Sequence, residues 1–472
     1  MNNLNTQQWD YIIDMLVIGT GFAGLSSAIE ASESNINIMI IEKMKSYGGN
    51  SIISDGGIAA PNTDLQKKHD IEDSEEKMYN DMLSAGLGLN QPELLRTVVD
   101  NAKEAFIWLR QNLQVPFMDR VDIFGGHQVA RCYTPEGITG ATILKKMMYQ
   151  LQLKGISINY STSFSSFITD CDGNVIGANI LEDYNYKTGT GNAKTIHFKK
   201  GVVMASGGYG ADVNFRQIQD PRLNSTIQTT NKPFATAECL KAAFNIGAAS
   251  VQLSQIQLGA WASPDEKGFG DGPLFADYIL FQYGIIIDPK TGKRFVNELG
   301  DRKQTADAIL NIGHPCIGIA DHKAVKYSGW DISKSIEKSV VRTFENIESL
   351  ADAYEIDINV LSKSIVSYNQ SIENGEDKAF GKKIVQDASP ISTPPFYGMR
   401  LWPKVHFTMG GLSINEKAEV LNYNGQVIHG LYAAGEVVGG VHGASRLGSC
   451  AITECVVFGR IAGGQIAASS SR

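Results

Sequence analysis

Three glycines and one acid near the amino terminus have the types and spacing to bind a dinucleotide. Gly19, Gly21 and Gly24 form a Gly-x-Gly-x-x-Gly turn. In such a turn the first glycine allows the tight bend, the second lets the backbone approach a pyrophosphate, and the third lets helix and strand pack closely. Glu42 follows roughly 20 residues later, where a carboxylate accepts hydrogen bonds from ribose hydroxyls. Because an acid disfavours a phosphorylated ribose, FAD or NAD is favoured over NADP.

The segments around these residues predict the elements that position them. An apolar run from 12 to 18 precedes the glycines, an Ala/Ser-rich helical stretch follows, and a second apolar run from 38 to 41 ends at Glu42. Strand, turn, helix and strand make up the βαβ unit of dinucleotide-binding proteins. A glycine triplet alone is equally typical of an ordinary tight turn, so the flanks and Glu42 carry this interpretation.

Length and charge exclude several classes of protein. A chain of 472 residues can divide into two or three domains. The net charge of -8, with no basic patch, argues against binding to nucleic acid. No apolar run approaches the roughly 18 residues of a membrane span, and the first basic residue is Lys43, so no signal segment is predicted. We therefore expect a soluble cytoplasmic protein.

The six cysteines include no Cys-x-x-Cys pair. They are predicted to be reduced, small apolar side chains. We therefore expect no metal, haem or iron–sulfur cluster bound by this chain.

Further glycine-rich segments extend the predicted cofactor site. Gly48 to Ser51 and Asp55 to Gly57 follow the first unit, and an apolar run at 202–205 leads into Ser206 and Gly207. Such segments suggest backbone wrapped around an extended cofactor. For the first two, a surface loop is the alternative. Between them and the apolar run, helical periodicity extends from about 72 to 111 and from 139 to 154.

Residues from about 256 to 405 lose the alternating strand and helix pattern, and glycine-rich segments return after 406. This change predicts one domain inserted into another. The first domain would comprise 10–255 and 406–472, and the inserted domain 256–405.

Three ordered motifs make the chain recognisable. They are the segment from Arg294 to Glu298 with Arg302, then His406 with the following Thr-Met-Gly-Gly, and the stretch from 434 to 448. From residue 13 to about 464 the chain resembles the flavoproteins of the fumarate reductase and succinate dehydrogenase superfamily, particularly soluble flavocytochrome c fumarate reductases and urocanate reductases. The resemblance implies an α/β fold in which a Rossmann-type FAD-binding domain is interrupted by an α+β capping domain.

The cofactor implied is FAD. Asn50 stands where family members with covalent flavin have a histidine, so non-covalent FAD is expected. The motifs and the resemblance together predict that FAD is bound by Gly19, Gly21, Phe22, Ala23, Gly24, Glu42, Lys43, Gly49, Asn50, Ser51, Gly56, Gly57, Ala205, Ser206, Gly207, Gly435, Glu436, Arg446, Ser449, Ala451 and Ile452.

The resemblance also implies a reaction, in which flavin N5 delivers hydride to an alkene carbon and Arg302 donates a proton to its neighbour. Arg446 and His406 would bind one substrate carboxylate, for which a guanidinium fork is well suited. Alternatives remain open: Arg302 could form a surface ion pair with Asp301 or Glu298, and Arg446 could serve only to neutralise the flavin.

The sequence departs from fumarate reductases where they hold the second carboxylate. Gly259 stands at their histidine and Asp277 near their threonine, and neither can bind a carboxylate well. A 2-enoate other than fumarate is therefore expected, such as urocanate or an aromatic acrylate. The predicted substrate-binding residues are Trp261, Asp277, Tyr278, His406, Gly411 and Arg446, with His127 a further candidate.

The proton relay of the family is also altered. Gapless counting from Arg302 places Tyr278 and Phe281 at its glutamate and arginine, and Phe281 cannot carry a proton. Tyr278 or Asp277 would then return the proton to Arg302.

Two other functions remain possible at this stage. One is a ketosteroid-type FAD dehydrogenase, in which tyrosines replace the arginine acid, and the other is an electron-transfer subunit of a larger redox complex. For the reductase, electrons are expected from a separate donor, which could be a reduced flavin, a flavoprotein, a cytochrome or a quinol.

Overall fold

The computed structural model describes residues 8–470. Its strands are β1 (Tyr11–Ile18), β2 (Ile38–Ile41), β3 (Ile58–Ala59), β4 (Cys132–Tyr133), β5 (Ile158–Asn159), β6 (Ser163–Thr169), β7 (Val175–Asn185), β8 (Thr190–Met204), β9 (Ser250–Val251), β10 (Ile256–Gly259), β11 (Ile285–Asp288), β12 (Lys293–Arg294), β13 (Cys316–Asp321), β14 (Val341–Phe344), β15 (Phe396–Leu401), β16 (Lys404–Thr408), β17 (Gly411–Leu412), β18 (Glu419–Leu421) and β19 (Val427–Ala433).

The α-helices are α1 (Phe22–Ser32), α2 (Asp64–Lys68), α3 (Glu75–Ala85), α4 (Pro92–Ile107), α5 (Gly140–Leu153), α6 (Val213–Gln219), α7 (Glu238–Phe244), α8 (Gly272–Phe275), α9 (Phe281–Tyr283), α10 (Arg302–Ile312), α11 (His322–Ser328), α12 (Ser333–Glu337), α13 (Ile347–Ala353), α14 (Ile358–Asn374) and α15 (Cys450–Ala468). Two π-helical turns, Trp108–Asn112 and Ala276–Leu280, extend or connect them.

The predicted βαβ unit is confirmed. β1 and β2 are parallel, and α1 connects them directly after the glycine turn. The main sheet has the order β18-β19-β8-β1-β2-β5, and every pair from β19 to β5 is parallel. The carboxyl ends of its central strands therefore lie at one edge, where parallel α/β sheets bind their ligands.

One predicted helical region is in fact two helices. The periodicity from 72 to 111 covers α3 and α4, with residues 86–91 between them. Gly86 and Gly88 end the first helix and Pro92 begins the second, as expected for residues that disfavour or start helices. Hairpin turns near Gly173 and Gly189 join β6 to β7 and β7 to β8.

The predicted insertion contains a second, antiparallel sheet. Its order is β12-β11-β13-β15-β14, and α14 and α13 cover an apolar cluster that includes Ile285, Ile317 and Leu361. The chain enters this region on β10 and leaves it on β16, and these two strands pair with each other. The predicted boundaries at 256 and 405 therefore fall on a single two-stranded ribbon.

Within residues 8–470, the helix α15 is long and apolar enough to cross a membrane. It packs against α1, and Gly459 and Gly463 allow the approach because an added Cβ would lie 2.5 Å from the Ala23 carbonyl oxygen and 2.2 Å from that of Ser27. In this fold α15 is a core helix.

Candidate functional site

One cleft at the carboxyl edge of the main sheet collects most of the predicted site residues. Its empty volume is about 1670 Å³, the part open to solvent included. The predicted residues on its wall are Gly19, Gly21, Phe22, Ala23, Glu42, Lys43, Gly49, Asn50, Ser51, Gly57, Ala205, Ser206, Gly207, Trp261, Asp277, Arg302, His406, Gly435, Glu436, Arg446, Ser449, Ala451 and Ile452.

The glycine turn has the close contacts that its spacing predicts. Gly19 has a φ of 102°, and a Cβ there would lie 2.4 Å from the carbonyl oxygen of Ala205. Gly24 lies behind the wall, where its Cβ would be 2.1 Å from the Gly19 carbonyl oxygen. Helix α1 can therefore approach β1 only with glycine at this position.

Glu42 is held in a defined orientation at the end of β2. Its side-chain oxygens accept hydrogen bonds from the Thr20 hydroxyl at 2.5 Å and the Met44 amide at 3.0 Å. Burial raises the pKa of Glu42, and these hydrogen bonds oppose the increase. Thr20 lies within the glycine turn, but the motif itself gives it no role.

The Asn50 side chain is held in place by a hydrogen bond to the backbone. Its side-chain oxygen accepts a hydrogen bond from the Lys232 amide at 2.9 Å. An amide side chain is not a nucleophile, so this position offers no atom for a covalent bond to flavin.

The cleft also carries polar groups that lack a protein partner. In the described residues, buried atoms without a hydrogen bond include Asn231 Oδ1, Ser449 Oγ, Arg302 Nε and Arg446 Nε, and all four side chains line the cleft. Buried polar atoms are normally hydrogen-bonded, so these are available to a ligand. Together with the glycines on the wall, they fit a large polar cofactor and a charged substrate.

The predicted substrate end of the cleft lies where the β10/β16 ribbon meets the first turn of α10. Arg302 is the first residue of α10, is 8% exposed, and donates from Nη2 to Asp277 Oδ2 at 2.6 Å. The surface ion pairs considered from the sequence do not form. Asp301 caps α10 and accepts from Ser445, whereas Glu298 pairs with Arg294.

Arg446 lies on the same wall, with Nη1 donating to the Leu447 carbonyl and its guanidinium 5.0 Å from the centre of the Phe407 ring. Burial and the nearby Arg302 lower the pKa of Arg446 to about 10. Burial, Arg446 and Arg302 also lower the pKa of His406 well below its usual range. At neutral pH the Arg446 guanidinium is therefore charged and the His406 imidazole is neutral.

Three predicted substrate contacts lie outside the cleft wall. The Tyr278 hydroxyl donates to Asp55 at 3.0 Å, and its ring packs edge-on to Phe124 and Trp330. A Cβ on Gly411 would lie 2.1 Å from the Val437 carbonyl oxygen. The further candidate, His127, contacts the Gly448 carbonyl and Arg131.

Gly56, predicted to bind FAD, is also absent from the wall and packs against Pro135 and the start of α5.

Several wall residues had not been predicted to be site residues. Asp55, Asn231, Phe269 and Phe407 line the cleft, as does Thr230, whose hydroxyl is 2.9 Å from His406 Nδ1. Asp55 and Phe407 adjoin predicted residues in sequence. No spacing signal marks Thr230, Asn231 or Phe269.

A family model for the FAD binding domain matches residues 14–452. The chain belongs to this family. FAD is thus the cofactor of the flavoprotein, and the resemblance inferred from its motifs is confirmed. Two similar proteins are the acrylate reductase flavoprotein subunit of Shewanella woodyi, 40% identical over 98% of this chain and 92% of that protein, and the urocanate reductase of Eggerthella lenta, 32% identical over 97% and 75%.

Among solved structures, the flavoprotein is similar to an open conformation of a flavocytochrome c3 fumarate reductase. The TM-score is 0.76 with 28% identity, and the match covers 97% of this chain and 78% of that one. The shared fold and family identify an FAD-dependent oxidoreductase.

Proposed function

We propose that this flavoprotein binds FAD non-covalently and reduces the C=C bond of an α,β-unsaturated carboxylate other than fumarate. The observation that carries the proposal is the grouping of Arg302, Arg446 and His406 on one wall of the cleft. Two buried guanidinium groups favour an anionic substrate. The similar acrylate and urocanate reductases act, by their names, on unsaturated acids.

Arg446 and His406 would bind the carboxylate. Arg446 Nε has no partner among residues 8–470 and is free to donate. If the Thr230 hydroxyl donates to His406 Nδ1, the proton of the neutral ring lies on Nε2, where it can be donated to a carboxylate oxygen. The second-carboxylate site of fumarate reductases is not reproduced, because Gly259 has no side chain and Asp277 is acidic.

Arg302 would donate the proton to the substrate, and Asp277, after taking up a proton from solvent, would return one to Arg302. When bound, FAD supplies a hydride to the substrate. A guanidinium group holds its proton tightly, so proton donation requires that the group be reprotonated at once. Asp277 is in direct contact with Arg302 at 2.6 Å, and burial raises the pKa of its carboxyl group. A carboxyl group in this position can carry the proton that Phe281 cannot.

The alternatives from the sequence fit less well. Steroid dehydrogenation of the kind considered needs tyrosine hydroxyls at the substrate, and no tyrosine within residues 8–470 lines the cleft. A subunit that only transfers electrons would not need a buried arginine that is paired with an aspartate. The separate electron donor and the cytoplasmic location stay predictions.

Anaerobic reoxidation of the reduced flavoprotein tests the proposal. The purified holoprotein is reduced chemically and mixed with acrylate, crotonate, urocanate, cinnamate or fumarate while the flavin absorbance is followed. Rapid reoxidation by at least one enoate, with fumarate slow, is expected. Failure of every enoate to reoxidise the flavin would contradict the proposal.

A further inference from the structure

Gly259 and Trp261 fit against each other at the substrate end of the cleft. A Cβ at 259 would lie 3.0 Å from Trp261 Cζ2 and 3.1 Å from both Cε2 and Cη2. These separations are shorter than ordinary carbon contacts of about 3.5–4.0 Å. The indole therefore lies in the space that a side chain at 259 would enter.

This indole borders two of the groups that would act on the substrate, His406 and Arg302. Its ring is edge-on to His406 with a centroid distance of 4.7 Å, and the Arg302 guanidinium carbon lies 6.0 Å from its centre. Phe269, which also lines the cleft, lies 5.2 Å from it. Trp261 is only 1% exposed, so close packing restricts its movement.

We propose that Trp261, packed on Gly259, closes the substrate site beside His406 and Arg302 and restricts the enzyme to short 2-enoates with one carboxylate and a small apolar end. The inference rests on the proposed function and narrows its substrate class. Acrylate and crotonate fit this description, whereas the rings of cinnamate and urocanate would need the space of the indole.

The chemistry of the wall supports the same class. Trp261 and Phe269 present aromatic carbon to the substrate end. The acid on this wall, Asp277, already accepts from Arg302, so an imidazole donor would compete with that ion pair. A second carboxylate would face Asp277, and the Arg302 guanidinium beside it is already paired with that acid. Among these substrates, one with an apolar end would lose the least hydration free energy on binding there.

The test compares kcat/KM for acrylate, crotonate, cinnamate and urocanate in the wild type, Trp261→Phe and Trp261→Ala. The wild type should prefer acrylate over cinnamate by at least about tenfold, the lower end of discrimination by a size-restricted pocket. Trp261→Ala should shift that ratio toward cinnamate by at least about tenfold, and Trp261→Phe, which keeps an aromatic ring, should shift it less. Trp108→Phe is the control and should leave the ratio unchanged, because Trp108 is a buried tryptophan in the π-helical turn after α4 and does not line the cleft.

A second pair of variants tests the contact itself. Gly259→Ala should lower kcat/KM for acrylate in the wild-type background, but should have less than about a twofold effect when Trp261 is already alanine, because the clash is then absent. Bound FAD absorbance verifies that each variant is folded.

Two results would overturn the inference. One is a wild type that reduces cinnamate as well as acrylate, and the other is a ratio that Trp261→Ala does not change; both leave the enoate reductase function intact. Failure of the wild type to reduce any enoate is the distinct result that contradicts the proposed function.

Discussion

The substitution Asp277→Asn tests the proposed return of the proton to Arg302. The carboxylate accepts from Arg302 at 2.6 Å, and both side chains are almost fully buried. Asparagine has nearly the same shape and can still accept a hydrogen bond, but it cannot bind and release a proton. Positioned acid–base groups typically contribute about 10²–10⁴-fold to rate. We therefore expect kcat for the enoate to fall by about 10²-fold or more.

The assay separates proton return from binding and folding. KM for the enoate should change by less than about threefold, because Arg446 and His406 hold the carboxylate in this account. Loss of a charge-assisted hydrogen bond costs about 1.5–3 kcal/mol, so stability is measured in parallel by thermal unfolding of the holoprotein. Asp122→Asn is the matched control, because the buried Asp122 carboxylate pairs with the partly exposed Arg120 away from the cleft. Unchanged kcat in Asp277→Asn, or an equal loss in the control, would refute the reasoning.

Three further predictions follow from the site and the inserted region. Arg446→Lys should lower kcat/KM for the enoate at least about tenfold with full FAD occupancy, because lysine lacks the guanidinium fork; a parallel loss of bound FAD would instead support the flavin-neutralising role. Acid precipitation of the wild type should leave all flavin in the supernatant, because Asn50 provides no nucleophile, and flavin in the pellet would contradict this. Burial lowers the pKa of Lys382 from 10.5 to about 8. Between those pH values the unfolded chain therefore binds more protons than the folded chain. From about pH 8 to 10.5 the free energy of unfolding of the wild type should rise by about 3 kcal/mol relative to that of Lys382→Met. Chemical denaturation measures both, and an equal pH dependence in the two proteins would contradict the assignment.

The glycine turn and Glu42 could be predicted because local spacing determines both their conformation and their place at the strand ends. Arg302, His406 and Arg446 are 144 residues apart in sequence at the extremes, and no local pattern brings them together. Their proximity was expected only through the family resemblance. For His406 and Arg302, the physical reason is that the β10/β16 ribbon meets the start of α10.

Tyr278 illustrates a limit of counting along a sequence. It was grouped with Asp277 as a substrate contact, but both lie in the π-helical turn Ala276–Leu280. Asp277 lines the cleft, whereas the Tyr278 hydroxyl reaches Asp55. Adjacent helical residues point in different directions, so the two could not share one role. Thr230 and Phe269 come from loops with no recognisable pattern and could be found only from the structure.

The most direct test of the central claim is single-turnover reoxidation of the chemically reduced holoprotein by acrylate, in the wild type and in Arg302→Gln. Glutamine keeps a polar side chain but cannot supply the guanidinium proton. The account predicts fast reoxidation in the wild type and a rate at least about 10²-fold lower in the variant, with FAD content unchanged. Equal rates in the two proteins would show that Arg302 is not the proton donor.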